Sequence, residues 1–330
     1  MLHEWLIHYL SKRQSEKADL LDIYFCYRLL LGRKADDQGW LDWTKRVSLG
    51  MTRAQLVNGF LESHEFRMRR TFRKKVRVET PDFVIYADPD DVSAGVLIIN
   101  DKMYEPHVTN VIRSLLRNDS VYIDVGCNVG WFVLLAATIA KQGKVVGIEP
   151  NYHNLQLLYQ SINENGFTNI VIMPYAVTDS TKILQMGGFA GYSFVRNDKV
   201  GDLEANYVQG HTLDYLLSDV EKIDIIKIDI EGHEPIALNG MKTVITRYRP
   251  TIVSEFHPKL IEEFSHIDPQ SYLNDLQSLG YKLAVIETSS KIVECSSTAA
   301  VMEYWHNLNQ TLGTGDLMHV DLLAVPINYL

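Results

Sequence analysis

Apolar residues follow two regimes along the chain. Over residues 1–78 they recur at helical spacing, as in LLDIYFCYRLLLGR, with Gly32 as a C-cap. Thr52 and Gln55 fit a capping box ahead of LVNGFLESHEF. Residues 1–78 therefore read as a small all-α accessory domain. From residue 79 the period changes. FVIYADP and GVLIIN read as a short β lead-in, followed by a helix over His107 to Leu116. VYIDVG, KVVGIEP, IVIMPYAV, DIIKIDI, TIVSEFH, YKLAVIE and HVDLLAVP then read as strands. Helical stretches separate them, starting at Trp131 and Asn151, spanning Pro235 to Thr246, and ending at Leu279. Such alternation demands crossover connections, hence an α/β fold with a doubly wound, mainly parallel sheet over residues 79–330.

In such sheets ligands gather beyond the carboxyl ends of the strands, and the polar motifs fall there. In KIDIEGHE, Lys227, Asp229 and Glu231 recur at every second position, so they project from one face of a strand otherwise dominated by isoleucine. Charges there are costly unless paired. The structural reading pairs Lys227 with Asp229 or Glu231 and lets Glu234 cap the following helix. The chemical reading gives Asp229 and Glu231, with Glu255 and His257 on the next strand and His233 in the turn, to a reaction centre. His257 also suits a helix cap, and His233 a polar turn.

VYIDVGCNVGWF sets Asp124, Gly126, Asn128 and Gly130 at the first strand-to-helix turn. Gly130 follows Gly126 by four, where a dinucleotide fingerprint needs five, so nicotinamide is disfavoured. Glu149, at the end of the second strand, suits the hydroxyls of an adenosine ribose.

Composition adds exclusions. A net charge of -9 over 330 residues argues against a general nucleic-acid binder. Cys26, Cys127 and Cys295 show no metal spacing, which fits a reducing setting. Glu4 and His8 interrupt any signal-peptide core, and FVLLAATIA is too short to cross a bilayer, so a soluble, cytoplasmic protein is expected. Seven of the eleven residues from Arg67 to Arg77 are basic, which suits a solvated helix end or, secondarily, an anionic membrane surface.

DVGCNVG, IEPN, SINENGFTNI, PYAVTD, HTLDYLL, KIDIEGHE and HVDLLAVP resemble, in order, the signature blocks of the FkbM-family methyltransferases that use S-adenosylmethionine. The resemblance runs from about Tyr104 to Pro326 and implies a seven-stranded Rossmann-like sheet and O-methylation of sugars or polyketide-type hydroxyls. It implies that Asp124, Gly126, Asn128 and Gly130 line the methionine side of the cofactor and that Glu149 holds the ribose. Ala176 and Val177 would lie near the adenine, and Glu105 close to the cofactor. Cys127 replaces the family's alanine and is not read as a nucleophile. Asn165 and Gly166 read as a helix stop.

Ile23 to Phe66 resembles a small helical domain of unassigned function found beside bacterial glycan-modifying enzymes. It tilts the acceptor towards a sugar hydroxyl of a surface glycan or its precursor, with glycan-assembly or membrane contact through the N-terminal domain. A lipid, polyketide or peptide acceptor, or a scaffold that binds cofactor without turnover, are the alternatives. An alcohol acceptor needs a base or a cation. A carboxylate or His233 base without metal is favoured, and magnesium or manganese on Asp229 and Glu255 is the lesser option. The glycine-rich stretch Met186–Gly210 reads as an irregular loop that closes over substrate, with Phe189, Tyr192 and Phe194 to stack on a sugar ring and Ser193 to contact its hydroxyls. An ordinary β-connection with buried aromatics is its rival.

Overall fold

The structure, a computed structural model, describes residues 17–31, 34–63, 65–66, 75–189, 192–196 and 206–327. Gly32 and most of the basic tract, 67–74, lie outside the described residues. The chain divides into two units, Met1–Lys74 and Lys75–Leu330.

In the first unit, helices Leu20–Phe25, Asp37–Ser48 and Arg53–Leu61 surround a small core of Ile23, Tyr27, Leu56 and Phe60. The expected capping box is present: the Thr52 hydroxyl accepts from the Gln55 amide, and the Gln55 side chain accepts from the Thr52 amide. Trp43 stacks on Phe60 with ring centroids 4.6 Å apart.

The second unit opens with an antiparallel pair, β1 (Val76–Glu79) and β2 (Val84–Ala87). GVLIIN, expected as a strand, is the helix Gly95–Asp101. A six-residue apolar run is ambiguous by periodicity alone. Here the Asp91 carboxylate accepts from the amides of Ser93, Ala94 and Gly95, which starts a helix.

Eight strands form the main sheet: β3 (Val121–Val125), β4 (Lys144–Ile148), β5 (Ile170–Met173), β10 (Ile225–Ile228), β11 (Thr251–Phe256), β12 (Tyr281–Ile286), β13 (Ile292–Cys295) and β14 (Val320–Pro326). Their order is β13-β12-β14-β11-β10-β3-β4-β5. Strands β3, β4, β5, β10 and β11 run parallel, and β14 inserts antiparallel between β11 and β12. The expected seven strands are all there, and β13 adds an edge that the sequence reading did not identify, as it also missed the helix Thr298–Leu312.

A second, four-stranded sheet holds β6 (Ala176–Val177), β7 (Lys182–Phe189), β8 (Tyr192–Arg196) and β9 (Asn206–His211). IVIMPYAV thus divides between two sheets, because Pro174 has no amide proton with which to continue a ladder. The expected irregular stretch is a hairpin in its described parts, since β7 and β8 pair antiparallel. The side chains of Phe189, Tyr192, Ser193 and Phe194 lie outside what the structure describes, as do residues 197–205. The helix expected over Pro235 to Thr246 is two, Glu234–Asn239 and Lys242–Tyr248. At Gly240 between them, a Cβ would stand 2.1 Å from the Thr178 carbonyl oxygen.

Asn165 and Gly166 do end the helix Tyr152–Asn165: Gly166 is left-handed, and the Asn165 amide bridges back to both backbone groups of Val84. Among the described residues no helix is long and apolar enough to cross a membrane.

Candidate active site

A cavity of about 770 Å³ opens at the carboxyl ends of the parallel strands. Its walls include Glu105, Gly126, Asn128, Glu149, Ala176 and Val177, and also Asp229, Glu231, His233, Glu255 and His257. Asp124 and Gly130 are not in the wall. Asp124 is fully buried beneath the turn, and Gly130 packs on Leu158, which a Cβ would meet at 2.2 Å. Gly126 has a structural reason beyond ligand approach: at φ 84°, a Cβ would lie 1.9 Å from the Asp229 carbonyl oxygen. The glycine turn and the acidic strand end are therefore in direct contact.

At the end lined by the glycine turn, the Glu149 carboxylate accepts from the Asn128 amide at 2.9 Å and the Asn151 amide at 2.8 Å. Oε1 also accepts a long bond from the Asn154 side-chain amide at 3.5 Å, while Oε2 keeps a second lone pair with which to accept a ligand hydroxyl. Ile148, Ala176 and Val177 make the wall beside it apolar, as a flat base requires. The buried Asn128 side-chain oxygen has no partner in the protein, an acceptor suited to an ammonium donor. These features fit S-adenosylmethionine. Cys127 is buried, which pushes its thiol well above the usual range and leaves it inert.

At the end lined by Asp229 and Glu255, the sheet register brings the acids together. Ile228 pairs with Ser254, so Asp229 and Glu255 each follow one step beyond, and Glu255 pairs with Asp321 on the far side. Lys227 answers the cost of charge on this strand. Its ammonium lies 2.8 Å from the Asp229 carboxylate, 4.8 Å above the Phe132 ring, and beside Asp124 in the register. Glu234 begins a helix, but its carboxylate ties back to the turn by accepting from the Ile230 and Gly232 amides.

His233 is buried, and its Nε2 lies 3.1 Å from the Thr178 hydroxyl. Burial lowers its pKa to about 4, so it is neutral and a weak base. His257 precedes the turn Pro258–Leu260 without a side-chain cap bond, and its Nδ1 has no partner.

Three residues reach this site that the sequence reading did not select: His107, His319 and Asp321. Because β14 runs antiparallel to its neighbours, its first residues arrive where β10 and β11 end. His319 Nδ1 lies 3.3 Å from the Glu255 carboxylate, and His107 Nε2 2.8 Å from Asp321. The alternation His319-Val320-Asp321 was the available signal, but its meaning depends on strand direction.

Glu105, Asn128 and Glu231 share a second hidden property, left-handed backbone at φ 38°, 49° and 56°. This conformation disfavours each non-glycine residue by about 1–2 kcal/mol, and such strain gathers at ligand-handling sites. Glu105 is held there by a relay: the Trp131 indole donates to the Thr109 hydroxyl, which donates to the Tyr104 carbonyl.

Burial and mutual repulsion raise these acids. Asp124, Glu149 and Glu234 are each pushed up to about 7, chiefly by burial. Glu105, Glu231 and Glu255 also rise, by burial first and then by the neighbouring Asp229 charge, although Lys227 draws Glu105 and Glu231 back. The latter three keep some surface open to the cavity, and screening there moderates the effect.

A carboxyl with a raised folded-state pKa favours the fold while it is protonated, and the advantage is lost as pH rises through that value. The window opens near the ordinary glutamate value of 4.5 and passes through about 7 and beyond. Lys227 contributes throughout it, since its own pKa is raised. The thermal midpoint of the ligand-free protein is expected to fall from pH 5 to pH 9, and a flat or rising profile in scanning calorimetry would contradict the raised values.

Residues 124–283 match the methyltransferase FkbM domain, and residues 13–69 match a domain of unknown function, DUF4214. No curated protein matches the chain. Among solved structures, it is similar to methyltransferase FkbM from Methylobacillus flagellatus KT, at 16% identity and a TM-score of 0.40, over 85% of this chain and 60% of that one. It is also similar to precorrin-6y C5,15-methyltransferase from Geobacter metallireducens GS-15, at 12% identity and a TM-score of 0.40, over 76% of this chain and 100% of that one. A third likeness is to TYW2 of M. jannaschii in complex with AdoMet, at 12% identity and a TM-score of 0.37, over 77% of this chain and 88% of that one.

Proposed function

We propose that this chain, which carries an FkbM-family methyltransferase domain behind an N-terminal DUF4214 domain, uses S-adenosylmethionine to methylate a sugar hydroxyl of a surface glycan or its precursor. S-adenosylmethionine supplies an electrophilic methyl on a sulfonium. Glu149 holds the ribose, Asn128 accepts from the amino group, and Asp229, paired with Lys227, complements the positive charge of the bound cofactor. Glu255 takes the proton of the acceptor hydroxyl. Its Oε2 is buried without a partner, and a carboxylate with a raised pKa is the better base for an alcohol. His319, only partly buried, stands beside Glu255 and passes that proton to solvent.

The observation that carries this reading is the meeting of Asp229, Glu231 and Glu255 within one cavity with the glycine turn. Several acceptors and donors crowded at the acceptor end suit a molecule bearing more than one hydroxyl. The helical unit serves in this reading to dock the enzyme to glycan-assembly partners or an anionic membrane surface.

The test is methyl transfer from labelled S-adenosylmethionine to neutral glycosides, hydroxylated lipids and hydroxyl-bearing peptides. Label in the glycosides is expected, and label confined to lipids or peptides would replace the sugar reading.

Metal dependence is tested in the same assay. Among the described residues no group of three or more His, Cys, Asp or Glu is arranged to hold a metal ion. Of the two carboxylates considered as ligands, Asp229 is engaged by Lys227 and Glu255 by His319. Activity is expected to persist in excess chelator, and loss restored by magnesium or manganese would install a cation.

A further inference from the structure

The rim of the cavity beyond Glu255 differs in character from its floor. The helix Thr298–Leu312 ends at Leu312, which is 53% exposed, and the loop that follows displays Leu317 at 68% and Met318 at 37%. With Leu308 on the same helix, these side chains line the cavity mouth. Isolated exposed leucines are ordinary, but several exposed apolar side chains lining one ligand cavity mark a contact surface.

The loop is built to hold them out. Gly313, Gly315 and Asp316 have φ of 64°, 61° and 68°. The buried Asn309 side chain accepts from the Thr314 hydroxyl at 2.6 Å and the Met318 amide at 2.9 Å. Its amide and the Trp305 indole donate to the Met318 carbonyl at 3.3 Å and 2.5 Å, and Lys259 donates to the Gly315 carbonyl at 3.0 Å. A loop pinned at three residues does not fold its leucines away.

The charge of the cavity narrows the occupant. Glu105, Asp229, Glu231, Glu255 and Asp321 face it, against Lys227, already paired, and Lys259 at the rim. No arginine lines it among the described residues. A phosphate or carboxylate near the reacting hydroxyl would be repelled and would find no fork of donors. Such a lining suits an acceptor that is uncharged where it meets these acids, and Leu308, Leu312, Leu317 and Met318 add apolar side chains to the same cavity.

We propose that the acceptor is an uncharged glycoside with an apolar aglycone, an acyl or alkyl chain, and that the lip of Leu308, Leu312, Leu317 and Met318 is the subsite on which the chain rests. This deepens the sugar reading and rests on it for the identity of the head group.

The probes are methyl β-glucoside, octyl β-glucoside below its micelle concentration, and 1-octanol, each titrated calorimetrically into protein saturated with S-adenosylhomocysteine. Octyl glucoside is expected to bind about tenfold more tightly than methyl glucoside, as when two or three methylenes leave water. In the double variant Leu312→Ser/Leu317→Ser that ratio is expected to fall towards one, while the affinity for S-adenosylhomocysteine, the measure of intact folding, stays the same. Lip-dependent binding of octanol equal to that of octyl glucoside would support the lip and remove the sugar. Methyl glucoside binding with no gain from the chain would support the sugar and remove the lip. A chain-length effect that survives the double variant, or no binding by either octyl probe, overturns the proposal. So does lip-dependent binding to phosphatidylcholine vesicles without a chain-length effect, which would assign the lip to a membrane surface instead.

Discussion

Replacing Glu255 by Gln is expected to lower kcat by about 10²- to 10⁴-fold, the usual worth of a positioned general base. Gln keeps the volume, and its side-chain oxygen can still accept from His319, so S-adenosylmethionine affinity should be nearly unchanged. What it loses is the capacity to take a proton. Burial and the Asp229 charge hold the Glu255 carboxyl well above its ordinary range. The wild-type rate should therefore rise with pH as Glu255 ionises, and the Gln variant should lose that limb and keep a low residual rate from alignment alone. A Glu255→Gln enzyme with wild-type kcat would sink this assignment. A comparable loss in Glu231→Gln with Glu255→Gln unaffected would move the base to Glu231.

The second large effect concerns stability. Lys227→Met is expected to destabilise the protein by about 3–5 kcal/mol, the range for removing one partner of a buried ion pair. Lys227 is 4% exposed and packs against Phe132, so methionine can fill much of the volume. The charge cannot be replaced. Asp124 pairs in register with Lys227, Asp229 lies 2.8 Å from its ammonium, and Glu105 shares its field. Without the cation these acids repel one another, and the loss should deepen as pH rises and more of them ionise. Denaturant unfolding at pH 6 and pH 8 measures this directly. Equal stability of variant and wild type at both values would show that the pair is replaceable by packing, as some buried pairs are. Lys227→Arg is not expected to restore stability, since a planar guanidinium does not fit a site shaped for a single ammonium.

Much of this site is legible without coordinates. Asp229, Glu231, Glu255 and His257 were selected from a two-residue period at strand ends, and they do line one cavity. That Lys227 needs an acid beside it also follows from the sequence, because a lone charge on a buried strand is untenable, but the choice of Asp229 over Glu231 comes from the structure. Other signals were ambiguous for identifiable reasons. GVLIIN carries no period that separates a strand from a helix turn, and Asp91 decides it. A glycine in a turn shows that a Cβ is forbidden but not by what. At Gly126 the obstacle is the Asp229 backbone, and at Gly130 it is the Leu158 side chain.

The amino-acid order by itself determined the alternation of strands and helices, the helical character of the first unit, and the placing of acids at strand ends. Each of these is a local periodicity, readable within a few residues. Only the tertiary structure decided that β14 enters antiparallel, and that direction carries His319 and Asp321 to Glu255 rather than to the opposite edge. The same holds for the left-handed turn at Glu105, the burial that raises the carboxyls, and the pinned leucine lip. They arise from contacts between segments far apart in sequence, whose direction and depth no local pattern encodes.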